Sequence, residues 1–192
     1  EELYAAAASV DWDRHFSPER SFSVSASSSR SALYNTSYMT LKIKDGIVDT
    51  FRSRSGRRPS VSSEQPDIRI YGRIERDRLK LYLDASGEAL HKRGYRLEKT
   101  EAPLRETAAA AMLLKAGWPE IAADGGVFLD PMCGSGTLAI EAGLIASGTA
   151  PGLLREAFGF ESWKGHDRKL WKSLREEAES ARRTPLHSLT SS

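Results

Sequence analysis

One cysteine, Cys133, is all the thiol this chain of 192 residues has. A lone thiol makes no internal disulfide and supplies too few ligands for a zinc site of the usual kind, so neither device is expected to hold the fold. A reducing compartment fits best, and the cytoplasm is the expected location, with an organelle as the alternative if a transit peptide preceded these residues. Long apolar runs are also lacking. None reaches the roughly 18 residues that a membrane helix requires, so no membrane partner is expected. The first residues, EELYAAAASVDWD, are acidic and poor in apolar side chains, which excludes a secretory signal. They begin on Glu1 rather than Met, so the start of the protein is expected upstream. No internal repeat is found.

What is present suits a packed chain, with 40% hydrophobic and 28% charged residues. The net charge of +2 hides an uneven distribution. Residues 1–100 carry 18 Lys and Arg against 14 Asp and Glu, and residues 52–99 carry 13 against 7, whereas residues 101–192 carry 10 against 12. The middle stretch is where a polyanion would sit, although a solvated charged face explains the same counts about as well.

The periodicity predicts a short helix over 2–15 and a half-buried strand on Phe22, Val24 and Ala26. A helix is predicted over 31–56, with Tyr34, Tyr38, Leu41, Val48 and Phe51 on its apolar face. Asn35 or Ser31 would cap its start, Gly56 its end, and Asp45-Gly46 marks a place for a kink. Pro59 and Pro66 bracket a loop. Ile68, Ile70 and Ile74, then Leu79, Leu81 and Leu83, alternate with polar residues around Glu75-Arg76-Asp77-Arg78 and predict a hairpin. Pro103 opens an Ala-rich helix to about Ala116, ended by Gly117. Val127-Phe128-Leu129 reads as a strand, 137–147 as a helix, and 167–181 as an amphipathic helix with Leu170, Leu174 and Ala178 on one face. The tail after Pro185 shows no periodicity.

The segment that carries chemistry is Leu129-Asp130-Pro131-Met132-Cys133-Gly134-Ser135-Gly136-Thr137, between an apolar strand and a helix. Strand–turn–helix junctions in open α/β sheets bind ligands beyond the strand's C-terminal end. Gly134 and Gly136 remove Cβ atoms, so the backbone can turn tightly against a ligand. The helix that follows offers free N–H groups and partial positive charge to a carboxylate, while Asp130 faces an ammonium group. A zwitterionic amino-acid moiety satisfies both, and S-adenosylmethionine has one. A P-loop would need Lys-Ser or Lys-Thr after Gly136, where Thr137-Leu138 stands. A nucleophile elbow would need Gly at Cys133. A dinucleotide fingerprint remains open, because Ala139 is tolerated in the place of its third Gly. Cys133 as a nucleophile has no obvious His or Asn partner nearby.

Asp130 to Thr137, continued by Leu138-Ala139-Ile140-Glu141-Ala142, resembles motif I of the class I RNA methyltransferases that carry a THUMP domain. Residues 84–96, with His91-Lys92-Arg93-Gly94-Tyr95-Arg96, resemble that family's linker. Ala102-Pro103-Leu104-Arg105-Glu106 resembles its helix before motif I. Arg57-Arg58-Pro59-Ser60-Val61 and Pro66-Asp67-Ile68-Arg69-Ile70 resemble the THUMP core. Pro151-Gly152-Leu153 and Phe158-Gly159-Phe160-Glu161-Ser162-Trp163 are similar to the stretch after motif I in the large-subunit rRNA guanine-N2 methyltransferases. The resemblance runs from about residue 2 to about residue 183.

It implies an α/β chain: a small THUMP-type RNA-binding domain over 1–86, a linker over 87–101, and over 102–192 the first part of a Rossmann-like methyltransferase domain. It also implies S-adenosylmethionine as cofactor and large-subunit rRNA as partner, with methyl transfer to a guanine N2. Cofactor binding is expected at Asp130, Pro131, Met132, Cys133, Gly134, Ser135, Gly136 and Thr137. RNA phosphates are expected at Arg57, Arg58, Arg69, Arg73, Arg76, Lys80, Lys92 and Arg93, with Arg78 a further candidate. Tyr95, Arg96 and His91 would order the linker or touch RNA or cofactor. Glu141 would reach the Gly loop or serve an ordinary structural role. Trp118, Trp163 and Trp171 read as packing anchors. No metal is expected.

The sequence departs from the family in three respects. Asn-Pro-Pro-Tyr, whose amide and proline carbonyl hold the exocyclic amine in family members, occurs nowhere in it, and neither does Asp-Pro-Pro-Tyr. The family's second strand should begin near Thr184, where the polar tail stands instead. One strand with two or three helices makes no stable parallel sheet. The expectation is therefore a truncated chain whose parent is an enzyme and which alone transfers no methyl group. Part of the family's N-terminal portion is expected to be missing too. The alternatives are a non-catalytic THUMP RNA-binding module and, less well matched, a hydrolase or other nucleotide enzyme.

Overall fold

The computed structural model describes residues 1–96, 104–183 and 190–191. They form two compact units. One comprises 1–87 with 157–166, the other 88–156 with 167–192.

The first unit is built on a three-stranded sheet in the order β1-β2-β3, with β1 at Phe22–Ser29, β2 at Ile68–Glu75 and β3 at Arg78–Leu83. β1 and β2 are parallel, from Phe22 opposite Ile68 to Ser29 opposite Glu75. A parallel pair needs a crossover. Here it is α2, Thr36–Ser55, which packs with α1, Glu2–Ala8, and with β1. The hairpin joining β2 to β3 is two residues long, because Glu75 pairs with Arg78. Its central residues, Arg76 and Asp77, have φ of 50° and 58°. Positive φ at both positions gives the twist that flanking strands require, and here it is adopted without Gly. The Asp77 carboxylate accepts the Ser31 hydroxyl and, at 3.2 Å, the Ala32 N–H, which ties the turn to the segment before α2.

α2 is continuous through Asp45-Gly46, where a kink was expected. Asn35 caps it by accepting the Tyr38 N–H at 3.0 Å, and Gly56 closes it in the left-handed region. The buried stripe is Met39, Ile43, Ile47, Val48 and Phe51. Of the expected apolar face, Val48 and Phe51 are buried, whereas Tyr34 at 84% exposure, with Tyr38 and Leu41, lies outside the core. Gly46 explains the straight path: a Cβ there would stand 2.7 Å from the Tyr4 carbonyl oxygen and 2.9 Å from the Ala7 Cβ. The glycine is a contact point for α1 rather than a break. The predicted helix over 2–15 divides into α1 and a 3₁₀ turn at Trp12–Arg14. The Trp12 indole N–H donates to the Ala7 carbonyl at 2.7 Å, and the Phe16 ring lies 5.0 Å from that of Phe51 and 6.0 Å from that of Phe22.

Residues 157–166 were expected in the second domain but group with the first unit. Trp163 packs on the first unit's core, the Phe160 N–H donates to the Ala85 carbonyl at 3.1 Å, and the Lys164 N–H to the His15 carbonyl at 2.8 Å. Gly159 permits this, since a Cβ on it would fall 2.5 Å from the Asp84 carbonyl oxygen.

The second unit holds α3 at Glu106–Lys115, α4 at Trp118–Ala123, β4 at Leu129–Asp130, α5 at Thr137–Ala146, α6 at Arg168–Ser180 and β5 at Thr190–Ser191. α4 was not predicted. Gly117, at φ 74°, ends α3 and turns the chain directly into it. β4 is shorter than the predicted strand and pairs in parallel with β5, in the tail that showed no periodicity. A two-residue pairing made through the backbone leaves no apolar pattern to read. The core is Leu113, Trp118 and Ala142, with Phe128, Leu138 and Ile145 packed against it. The Trp118 indole donates to the Ala142 carbonyl at 2.8 Å, which makes Trp118 the expected packing anchor. Leu170 and Leu174 on α6 are exposed among the described residues. Pro103 lies outside the described residues.

Candidate functional site

The Gly loop joins β4 to α5. The Asp130 carboxylate accepts the Met132 N–H at 3.2 Å, which bends the chain just past the strand. The Gly136 N–H donates to the Cys133 carbonyl at 2.8 Å and closes the turn. Gly134 and Gly136 have φ of 55° and 72°, a region in which a Cβ is strained. A Cβ built on Gly134 would meet nothing within 4 Å, so the loop backbone borders open space. Pro131, Gly134, Ser135 and, at 90% exposure, Met132 line that space, while Thr137 is buried at the first turn of α5. The N–H groups of that turn are unsatisfied inside the helix and carry its positive end. Cys133 is half-buried, and its thiol lies 3.8 Å from the Gly134 carbonyl.

Arg96 braces this loop. Its guanidinium donates to the Ser135 hydroxyl at 3.2 Å, the Thr137 hydroxyl at 3.1 Å and the Leu104 carbonyl at 2.9 Å, and pairs with Glu106 at 3.2 Å. The Ser135 and Thr137 hydroxyls lie 3.1 Å apart. One planar cation therefore ties the segment before α3 to both ends of the tight turn. The sequence marked Arg96 only as part of a basic string. Its partners are 8 to 41 residues away, beyond the reach of a local pattern.

Glu141 does not extend toward the Gly loop. It is buried, accepts the Tyr95 hydroxyl at 2.9 Å, and pairs with Arg93 at 2.9 Å. Burial pushes its carboxyl up, against the lowering effect of Tyr95 and Arg93, and burial together with the Glu141 hydrogen bond raises the Tyr95 phenol. Arg93, expected on RNA, is 8% exposed in this ion pair and is not presented to a phosphate. Lys92 is exposed and pairs with Glu88 at 2.7 Å.

The other cations expected on RNA divide between two ends of the first unit's sheet. Arg57, paired with Glu19, and Arg58 follow α2, near the start of β1, where the Phe22 N–H donates to the Ser60 carbonyl. Arg73, Arg76, Arg78 and Lys80 are exposed at the hairpin end. The length of β2 separates the groups, about 23 Å at roughly 3.3 Å per residue. Arg69 lies between them and donates to the Gly87 carbonyl at 2.7 Å, and Arg73 pairs with Glu75 at 3.3 Å. Among the described residues, no cluster of His, Cys, Asp and Glu could hold a metal ion.

Comparison with known proteins places this geometry. Residues 93–191 match the family described as the RMKL-like methyltransferase domain, and residues 1–84 match the THUMP domain. The chain is 52% identical over 179 residues to a Marinobacter nauticus protein named ribosomal RNA large subunit methyltransferase K/L, covering 93% of this chain and 25% of that protein. The chain thus spans about a quarter of the length of the curated relatives it matches. Among solved structures, a protein named as a putative methyltransferase and complexed with SAH superposes with a TM-score of 0.81 at 33% identity, covering 98% of this chain and 48% of the other. A Listeria monocytogenes protein named as a predicted N6-adenine-specific DNA methylase superposes with a TM-score of 0.79 at 35% identity, covering 94% and 46%.

Proposed function

Because the chain belongs to the RMKL-like methyltransferase domain family, we propose that it supplies the RNA-docking part and the cofactor loop of an S-adenosylmethionine-dependent methyltransferase of large-subunit rRNA. The observation that carries this is the braced turn between β4 and α5. Gly134 opens onto space that a Cβ would enter, and the first turn of α5 supplies N–H donors. The residues present fit the cofactor's methionine moiety, with the carboxylate at the Gly134 to Thr137 backbone and the ammonium group at Asp130. The bound cofactor supplies an electrophilic methyl group. Arg96 keeps the backbone donors in place before the ligand arrives, so that little ordering cost falls on binding.

The acceptor we propose is a guanine N2, following the family resemblance. An adenine N6, as in the name of the Listeria protein, is also an exocyclic purine amine. Either base must leave its stack to be reached, which suits an unpaired loop or a flipped nucleotide. Exposed Arg57, Arg58, Arg73, Arg76 and Lys80, with Arg69, supply the phosphate contacts in this reading, so RNA affinity falls as salt rises. The second reading is the alternative expected from the sequence, a THUMP module that binds RNA without catalysing.

Calorimetric titration with S-adenosylhomocysteine separates the two. The first reading predicts saturable one-site binding, and the second predicts no heat beyond dilution. In both, the 192-residue chain alone transfers no methyl group to rRNA, and detectable transfer by the purified chain would contradict that.

A further inference from the structure

The first unit's sheet has two unlike faces. Ile68, Ile70 and Ile74 are buried on the side that carries the core, with Leu79, Leu81 and Leu83 half-buried beside them. On the other side Tyr71 stands opposite Tyr82, Arg73 opposite Lys80, and Glu75 opposite Arg78. Tyr71 and Tyr82 are 37% and 45% exposed, with ring centroids 6.3 Å apart and planes inclined by 35°. β1 continues this face with serines, and Ser27 shares a hydrogen bond with the Tyr71 hydroxyl, which fixes that ring.

Two adjacent exposed tyrosines do not serve the core. Small serines of β1 flank Tyr71, Tyr82 stands on the outer strand, and the exposed cations Arg73, Arg78 and Lys80 share this face with Glu75. A polyanion with flat, apolar bases matches both halves of this surface, because stacking uses the rings and phosphates use the cations. Sheets that recognise single-stranded RNA use exposed aromatic residues in this way. Paired helices offer their bases edge-on inside a stack and gain nothing from the rings.

We propose that this face, centred on Tyr71 and Tyr82 and flanked by Arg73, Arg78 and Lys80, docks single-stranded RNA by stacking two unpaired bases on the tyrosines. The proposal rests on the RNA-docking reading above and adds where the strand lies and that it is held through its bases. The cations at the far end, Arg57 and Arg58, then serve a separate segment of the RNA backbone.

The test uses the whole 192-residue chain and an oligouridine of about eight nucleotides, beside an abasic strand of equal length and charge. Oligouridine is expected to bind about tenfold more tightly than the abasic strand. Oligonucleotides carrying 4-thiouridine are expected to photo-cross-link to Tyr71 or Tyr82, as mapped by mass spectrometry. Tyr71→Leu and Tyr82→Leu should each weaken oligouridine binding by about tenfold and leave its salt dependence unchanged, whereas Tyr71→Phe retains it. Equal binding of the two strands, or cross-links confined to other residues, overturns stacking on this face and leaves phosphate docking standing. No binding of either strand at low salt overturns both.

Discussion

Arg96 shows how much a single side chain can organise. It is mostly buried, and its buried partner Glu106 lies against the same guanidinium that holds Ser135 and Thr137. Removing the cation leaves a carboxylate without compensation, which costs about 3–5 kcal/mol. Arg96→Ala should therefore destabilise the second unit by roughly that amount in urea unfolding, and Arg96→Ala combined with Glu106→Gln should recover part of the loss. If Arg96→Ala unfolds like the wild type, Arg96 is not the brace described. Asp67 makes a different prediction. Burial pushes its carboxyl up, but the Ser21 hydroxyl and N–H and the Arg20 guanidinium outweigh this and hold it below its ordinary value. A group depressed in the folded state stabilises above its unfolded pKa, and that contribution is lost as pH falls through the folded value. The urea midpoint of the wild type should therefore exceed that of Asp67→Asn at pH values well above the usual carboxylate range, and the gap should close under acid. A constant gap would mean that Asp67 acts through shape rather than charge.

At the scale of elements, α2 was legible where capping chemistry is local and misread where packing decides. Asn35 and Gly56 mark its ends by their own conformational preferences. Tyr34, Tyr38 and Leu41 fit a helical period as well as Met39, Ile43 and Ile47 do, and only the position of β1 and α1 selects the second set. Gly46 was read as weakness because its use lies in another element. Ala is favoured over Gly in a helix by about 1 kcal/mol, but here its Cβ would press on the Tyr4 carbonyl, and overpacking costs about 1–3 kcal/mol. Gly46→Ala should thus lower the first unit's stability, and Gly46→Val should lower it further. Stabilisation by Gly46→Ala would show that α1 does not pack as described. The hairpin was legible because alternation and a two-residue polar turn are both local, whereas α4 and the β4–β5 pair were not, being set by Gly117 and by a backbone pairing over about 60 residues.

At the scale of the whole molecule, the sequence divides its information unevenly. The Gly loop could be read from Asp130 to Thr137 because turn geometry and helix N-terminal chemistry are written in consecutive residues. The basic residues could be counted but not placed. Arg93 turns inward to Glu141, Lys92 lies in the second unit, Arg69 lies mid-sheet, and the others separate toward two ends of the first unit's sheet, which no charge count reveals. The assignment of 157–166 to the first unit rests on Trp163 and Gly159 meeting residues more than 70 positions away. No helix among the described residues is long and apolar enough to cross a membrane. We propose that the loop between β4 and α5 holds the methionine end of S-adenosylmethionine. It is tested most directly by following the backbone amide resonances of the isotopically labelled chain during titration with S-adenosylhomocysteine. Saturable shifts led by Gly134, Ser135, Gly136 and Thr137 are expected, with the first unit's amides unmoved. Shifts that spare those residues, or none at all from a chain whose second unit is folded, would contradict it.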